Sequence, residues 1–358
     1  MTTLVTGGTG FLGRHLVRQL VDRGEDVRVL ARRFDLELAD LGVELIEGTL
    51  DSSEDIRRAV EGATRIYHLA GRVERDPSRA HVMYDLHVEG TRRLIDVARE
   101  AGVEKIVYAS TSGTVGVSRN PNFVAEDDSP TVESVVKEWP YYLSKIYAER
   151  VVDRFVQDYG MNIVTMRPTL LLGPGDKNES STGDVARFLR GKTPASMPGG
   201  ISFVDARDAA TAFILAMDKA AAGERYLIGA CNITLDDFFK RLSHLSGVRA
   251  PWLPVPEDAM VMGSKLWGRA MRAVGLTPSL DAASVDMARH FWYIDSSRAI
   301  EELGWTPRAA NATLKDTITW LRAHFPELDR SDSSHRASPP ADAVSSDVVE
   351  YARSLRER

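Results

Sequence analysis

The chain lacks the features that would give it a covalent or membrane-spanning framework. It has one cysteine, Cys231, among 358 residues, which excludes an internal disulfide and any multi-cysteine metal site. A lone thiol fits a reducing cytoplasm, with Cys231 expected to act as a small core residue. Nowhere do ~18 apolar residues run together, so no transmembrane helix is expected. Residues 1–8 read straight into a strand, and no export signal is expected there. A basic surplus is also missing: 45 Lys and Arg stand against 51 Asp and Glu, a net charge of −6. No basic face dominates, which argues against nucleic acid as a partner.

What remains is an ordinary globular composition, 43% hydrophobic and 27% charged, in a chain long enough for two lobes. Short runs rich in Val, Ile and Leu fall at 3–6, 27–30, 43–46, 65–69, 105–109 and 162–166. Between most of them lie helical stretches at 11–23, 54–61, 79–101 and 141–159. This alternation predicts βαβ units and a parallel sheet covered on both faces. A strand and helix return at 201–219 and a strand at 225–228. Helices are expected at 184–190, 236–245 and 256–274, the last with a stripe of Met260, Met262, Leu266, Trp267, Met271 and Val274. From 330 to 347 Ser, Asp, Ala and Pro dominate, a composition expected to be a disordered linker before a short charged helix.

Thr6-Gly7-Gly8-Thr9-Gly10-Phe11-Leu12-Gly13 joins the first strand to the first helix. Gly7 suits a tight turn, Gly10 a close approach of backbone amides to a pyrophosphate, and Gly13 the packing of helix on sheet. Its position between strand and helix makes this a dinucleotide-binding loop. The fold class expected is α/β, a Rossmann-like doubly wound parallel sheet with a smaller, mostly helical substrate-binding lobe. Residues 1–172 would form the dinucleotide domain, with 201–230 returning to it. Residues 173–200 and 231–328 would form the smaller lobe.

The form of this loop resembles the extended short-chain dehydrogenases/reductases. His68-Leu69-Ala70-Gly71 after strand four, Arg167-Pro168 after strand six and Leu303-Gly304-Trp305-Thr306-Pro307 carry the resemblance over roughly residues 1–328. The pattern is most similar to the branch of dihydroflavonol reductases, 3β-hydroxysteroid dehydrogenases and hopanoid-associated proteins. The resemblance implies cofactor contacts from Gly7, Gly10, Phe11, Leu12, Gly13, Leu50, Leu69, Ala70, Gly71 and Pro168. The family's usual Gly-Asp-Leu stands here as Gly48-Thr49-Leu50. At the end of strand two, Ala31 stands where NAD enzymes carry an acid, and Arg32 and Arg33 follow. A guanidinium can pair with a ribose 2′-phosphate, so NADP is expected over NAD, with NAD left open.

Pro140-Tyr141-Tyr142-Leu143-Ser144-Lys145 begins a helix in which Tyr141 and Lys145, four apart, share a face. A cation beside the phenol is expected to lower its pKa from ~10 and make it a usable acid/base. Tyr142 has Ile146 four residues on and no such cation. By resemblance a third group, a Ser or Thr, follows strand five; Thr111 matches, with Ser112 as the runner-up. Where the family commonly has Asn on the helix after strand four, this chain has His87, either a proton relay or a packed histidine.

The expected activity is oxidoreduction of a hydrophobic ketone or secondary alcohol, with a small molecule as the substrate. A nucleotide-sugar epimerase and a non-catalytic dinucleotide-sensing module are the alternatives. Ser112-Gly113 stands where sugar dehydratases have Asp-Glu, which counts against dehydration. A homodimer is left open.

Overall fold

The computed structural model describes residues 2–73, 77–193, 195–252 and 282–328. The expected helix at 256–274 and the tail from 330 onward lie outside the described residues. Seven strands form one sheet: β1 (Thr2–Thr6), β2 (Asp26–Ala31), β3 (Glu44–Glu47), β4 (Ala63–His68), β5 (Lys105–Ala109), β6 (Ile163–Pro168) and β9 (Arg225–Ile228). Their order is β3-β2-β1-β4-β5-β6-β9, and every pair is parallel. This is the Rossmann-like fold that the alternating pattern predicts.

Each strand serves two cores, because successive side chains point to opposite faces. Leu4, Leu30, Ile66 and Ile106 pack beneath the helices Ser53–Val60, Gly90–Glu100 and Pro140–Tyr159. Val5, Val29, Tyr67 and Val107 pack beneath Phe11–Asp22 and Ala206–Lys219 on the other face. Burying each Val, Leu or Ile contributes ~1.5–3 kcal/mol relative to leaving it exposed. The strands therefore read as continuous apolar runs rather than as alternation.

A second sheet joins β7 (Leu170–Leu172), β8 (Gly200–Asp205) and β10 (Cys231–Thr234) in the order β10-β8-β7. Helices Gly183–Leu189, Leu235–Ser246 and Ala310–His324 cover it, with Leu172, Phe203, Ile233, Phe238 and Leu314 between them. The sequence reading anticipated neither β7 nor β10. The strand it placed at 201 pairs with these two, while the following helix and β9 join the main sheet. Cys231 lies in β10, where burial pushes its thiol up to about 11. No described helix is long and apolar enough to cross a membrane.

The helix expected at 79–101 is interrupted. Ala80–Tyr84 gives way to a π-helical turn, Asp85–Glu89, before Gly90–Glu100 resumes the regular form. Such a turn carries an extra residue and is frequent at functional sites.

Candidate active site

The chain runs outward from β1 to β2 and β3, then returns to add β4 on the other side of β1. Ligands in open sheets of this kind bind outside the carboxyl ends of the strands at such a switch point. There the glycine loop meets the segment after β4. Gly7 has φ +74°, and a Cβ on it would lie 2.6 Å from the amide nitrogen of Ala70. A Cβ on Gly13 would lie 2.2 Å from the carbonyl oxygen of Gly7. Only bare backbone fits at either position. Gly10 is the N-cap of the helix Phe11–Asp22 and provides no side-chain cap, so the first amides remain available to an anion. This cradle fits a pyrophosphate.

The Thr6 hydroxyl fastens the loop from below. It lies 2.7 Å from His68 Nδ1 and accepts the Ala70 amide at 3.3 Å. His68 is fully buried, and burial pushes its pKa down to about 3, so it bridges Thr6 and Thr91 as a neutral ring.

At the end of β2, Arg32 and Arg33 are exposed, and neither has an ion-pair partner among the described residues. Arg14 behaves differently. It pairs with Asp35 at 2.5 Å and with Glu37 at 2.8 Å, and Lys177 reaches Glu37 from the segment after β7. Sequence reasoning missed this cluster, because its members run from Arg14 to Lys177. Leu50 is buried, and the Thr49 amide donates to the Asp55 carboxylate at 3.0 Å. That contact holds the 48–50 segment beside the switch point.

Tyr141 and Lys145 lie on one face of Pro140–Tyr159, the helix that follows β5. Lys145 is buried; its ammonium donates to the Ala109 carbonyl at 2.7 Å and stands 5.0 Å over the Tyr108 ring. Burial pushes its pKa down to about 8, against the opposing charge of Glu149. Thr111 acts on the Tyr141 hydroxyl and opposes the rise in its pKa, while its own oxygen accepts the Gly113 amide at 3.3 Å. Pro168 closes β6 and is buried beside Arg167.

The residues after β5 have different partners. The Ser110 hydroxyl turns inward to Glu149, the Thr111 hydroxyl accepts the Gly113 amide, and the Ser112 carbonyl accepts the Gly116 amide at 2.7 Å. Glu149 continues the helical face four residues beyond Lys145. Its carboxylate pairs with Arg167, an arrangement that sequence reasoning also missed.

One expectation needs correcting. The Tyr141 pKa is raised, not lowered: burial is the largest cause, Tyr142 adds to it, and Thr111 only opposes it. Spacing predicts that a cation shares the face. It does not predict that the ammonium is engaged by a main-chain carbonyl, or that the phenol is desolvated. Tyr141 is therefore held as a protonated phenol at neutral pH.

Aromatic rings flank this centre. Tyr142 lies 5.0 Å from Tyr141 and 5.0 Å from Trp292, which stacks on Trp139 at 5.6 Å. A Cβ on Gly113 would fall 2.3 Å from the Tyr142 ring. The ring fills the space that a side chain at 113 would need.

Residues 3–229 match the model described as the NAD dependent epimerase/dehydratase family. The chain belongs to this family. Its members include oxidoreductases, epimerases and dehydratases. The chain is 36% identical over 329 residues to sterol demethylase protein B of Methylococcus capsulatus, covering 90% of this chain and 98% of that protein. It is 31% identical over 327 residues to a putative dihydroflavonol 4-reductase of Synechocystis, covering 89% and 94%. A solved structure, described as the crystal structure of gox2253, superposes with a TM-score of 0.78 at 32% identity, covering 90% of this chain and 98% of that one.

Proposed function

We propose that the protein is a nicotinamide-dependent reductase that interconverts a ketone and a secondary alcohol on a hydrophobic small molecule, with NADP preferred. The observation that carries this reading is the Tyr141–Lys145 pair, set one turn apart on the helix after β5, with Lys145 buried and its ammonium fixed on the Ala109 carbonyl. Gly7, Gly10, Phe11, Leu12 and Gly13 would hold the pyrophosphate. Arg32 and Arg33 would meet the 2′-phosphate, and Leu50, Leu69, Ala70, Gly71, Lys145 and Pro168 would line the rest of the dinucleotide. When bound, that group supplies or takes the hydride.

The chain's own residues do the remaining work. Tyr141 donates its proton to the carbonyl oxygen as the alcohol forms, a general-acid step worth typically ~10²–10⁴-fold. Thr111 orients that oxygen and the phenol together. Lys145 keeps a positive charge beneath them, which favours the phenolate left behind.

Two observations support a ketone over a sugar substrate that undergoes dehydration. Gly113 has no room for an acid, because Tyr142 covers it. The Tyr142, Trp292 and Trp139 stack provides an apolar wall beside Tyr141. On this reading the substrate enters between the main sheet, with residues 1–168 and 206–228, and the smaller lobe built around the second sheet.

The test is fluorescence titration with NADPH and NADH, followed by turnover assays on dihydroflavonols, hydroxysteroids, other apolar ketones and nucleotide sugars. Reduction of an apolar ketone supports the proposal. Interconversion of nucleotide sugars by protein that holds NAD through purification would overturn it in favour of an epimerase.

A further inference from the structure

His87 is 1% exposed and occupies the centre of the π-helical turn Asp85–Glu89. The extra residue of that turn brings the imidazole between the 69–73 segment and the helix that carries Tyr141. Its Nε2 accepts the main-chain N–H of Arg72 at 3.1 Å. An amide there can only donate, so Nε2 presents a lone pair and the ring proton sits on Nδ1. Nδ1 lies 2.8 Å from Ser144 Oγ, and Ser144 Oγ donates to the Tyr141 carbonyl at 2.8 Å. The hydrogen bonds therefore run in one direction, from Arg72 through His87 and Ser144, and end on a peptide oxygen that cannot pass a proton on.

The ring also buttresses the phenol, standing edge-on to Tyr141 at 5.7 Å and 81°. Gly71 makes the approach possible, since a Cβ there would lie 3.3 Å from Nε2. The titratable groups facing the imidazole are Lys145, His68 and Tyr141. Burial, then the charge of Lys145, holds its pKa well below the ordinary range.

We propose that His87 is a positioning residue, fixed as the Nδ1–H tautomer, that ties the segment after β4 to the Tyr141 helix and takes no part in proton transfer. The proposal deepens the reductase reading, in which Tyr141 is the proton donor. It predicts that loss of the Arg72 contact loosens the segment lining the dinucleotide, while loss of the Ser144 contact alone does not.

Histidine-labelled full-length protein, followed by ¹⁵N NMR from about pH 5.5 to 9, reads the ring directly. The expected result is a protonated Nδ1 and a bare Nε2 throughout. A proton on Nε2, or titration within that range, would overturn the proposal. The variants His87→Gln and His87→Asn then separate the two contacts. The Gln amide oxygen can take the place of Nε2, while Asn reaches only as far as Nδ1.

NADPH affinity should stay within ~3-fold for the Gln variant and fall by up to ~10-fold for the Asn variant, the range of one neutral hydrogen bond. The Gln variant should keep the shape of the kcat/KM pH profile. Equal affinity in both variants, or loss of an acid limb in both, would count decisively against a clamp. Neither the NMR nor the binding measurement needs turnover. Failure to reduce any ketone would therefore sink the reductase reading while leaving this one to be judged on its own.

Discussion

Glu149 and Arg167 meet at 2.6 Å beneath the loop that carries Thr111, and each side chain is only 4% exposed. Glu149 also accepts Ser110 Oγ and, at 3.0 Å, Thr114 Oγ1, while Arg167 donates to the Asp127 carbonyl at 2.8 Å. One carboxylate thus fixes both ends of the turn that presents Thr111. Removing one partner of a buried pair leaves the other charge uncompensated, which costs about 3–5 kcal/mol. Glu149→Ala should lower stability by that amount in urea unfolding monitored by circular dichroism. Adding Arg167→Met should recover a large part of the loss. A single variant as stable as the parent would mean that water or a neighbouring group already satisfies Arg167.

The same carboxylate acts on Lys145. A free lysine titrates at ~10.4, and burial brings Lys145 down to about 8, with Glu149 holding it up. Between these values the unfolded chain carries the proton and the folded chain does not. The stability contribution of this group therefore grows as pH rises through the window and is lost as pH falls through about 8. Activity that needs the ammonium runs the other way and should decline above about pH 8. In Glu149→Gln the opposing charge is gone, and the basic limb of kcat/KM should move to lower pH. An unchanged limb would assign it to another group.

Tyr141 and Tyr142 are adjacent tyrosines with different surroundings. The Tyr141 ring meets His87 edge-on, whereas the Tyr142 ring covers Gly113. Tyr141→Phe keeps the ring and removes the proton. Turnover should fall ~10²–10⁴-fold, with dinucleotide affinity within a few-fold of the parent. Tyr142→Phe retains the ring over Gly113 and should keep most of the activity. Steady-state kinetics on both variants decides the matter, and the reverse ranking would move the acid to Tyr142.

Much of the fold was legible because strands buried on both faces leave uninterrupted runs such as Lys105–Ala109. β7 and β10 were not, being three and four residues long and set among glycines and polar residues. The π-helical turn at Asp85–Glu89 escaped because one added residue scarcely disturbs helical periodicity. At the site, the shared face of Tyr141 and Lys145 follows from spacing alone. Glu149 lies on that same face, but its partner Arg167 comes from β6, and no local pattern joins them. Whether Thr111 or Ser112 acts on Tyr141 depends on backbone direction after the strand, which composition does not carry. The sign of the Tyr141 shift depends on desolvation, and that is a property of the packed core.

Cofactor preference rests on Arg32 and Arg33. Among the cations beside the glycine loop, Arg14 is already held by Asp35 and Glu37. Arg32 and Arg33 are exposed without an ion-pair partner among the described residues. A dianionic 2′-phosphate would meet uncommitted guanidinium groups there, with Ala31 offering no carboxylate to repel it. A hydrogen bond to a charged group contributes ~1.5–3 kcal/mol, which corresponds to roughly ten- to a hundred-fold in affinity. Arg32→Ala should therefore weaken NADPH by about that factor and leave NADH nearly unchanged, and Arg33→Ala should have a smaller effect in the same direction. Because the pair is exposed, salt screens it, so the difference between the cofactors should narrow as ionic strength rises. Fluorescence titrations of the parent and both variants at low and high salt measure all of this. If the parent binds both cofactors equally at low salt, the two arginines are solvated surface charges and the NADP preference is wrong.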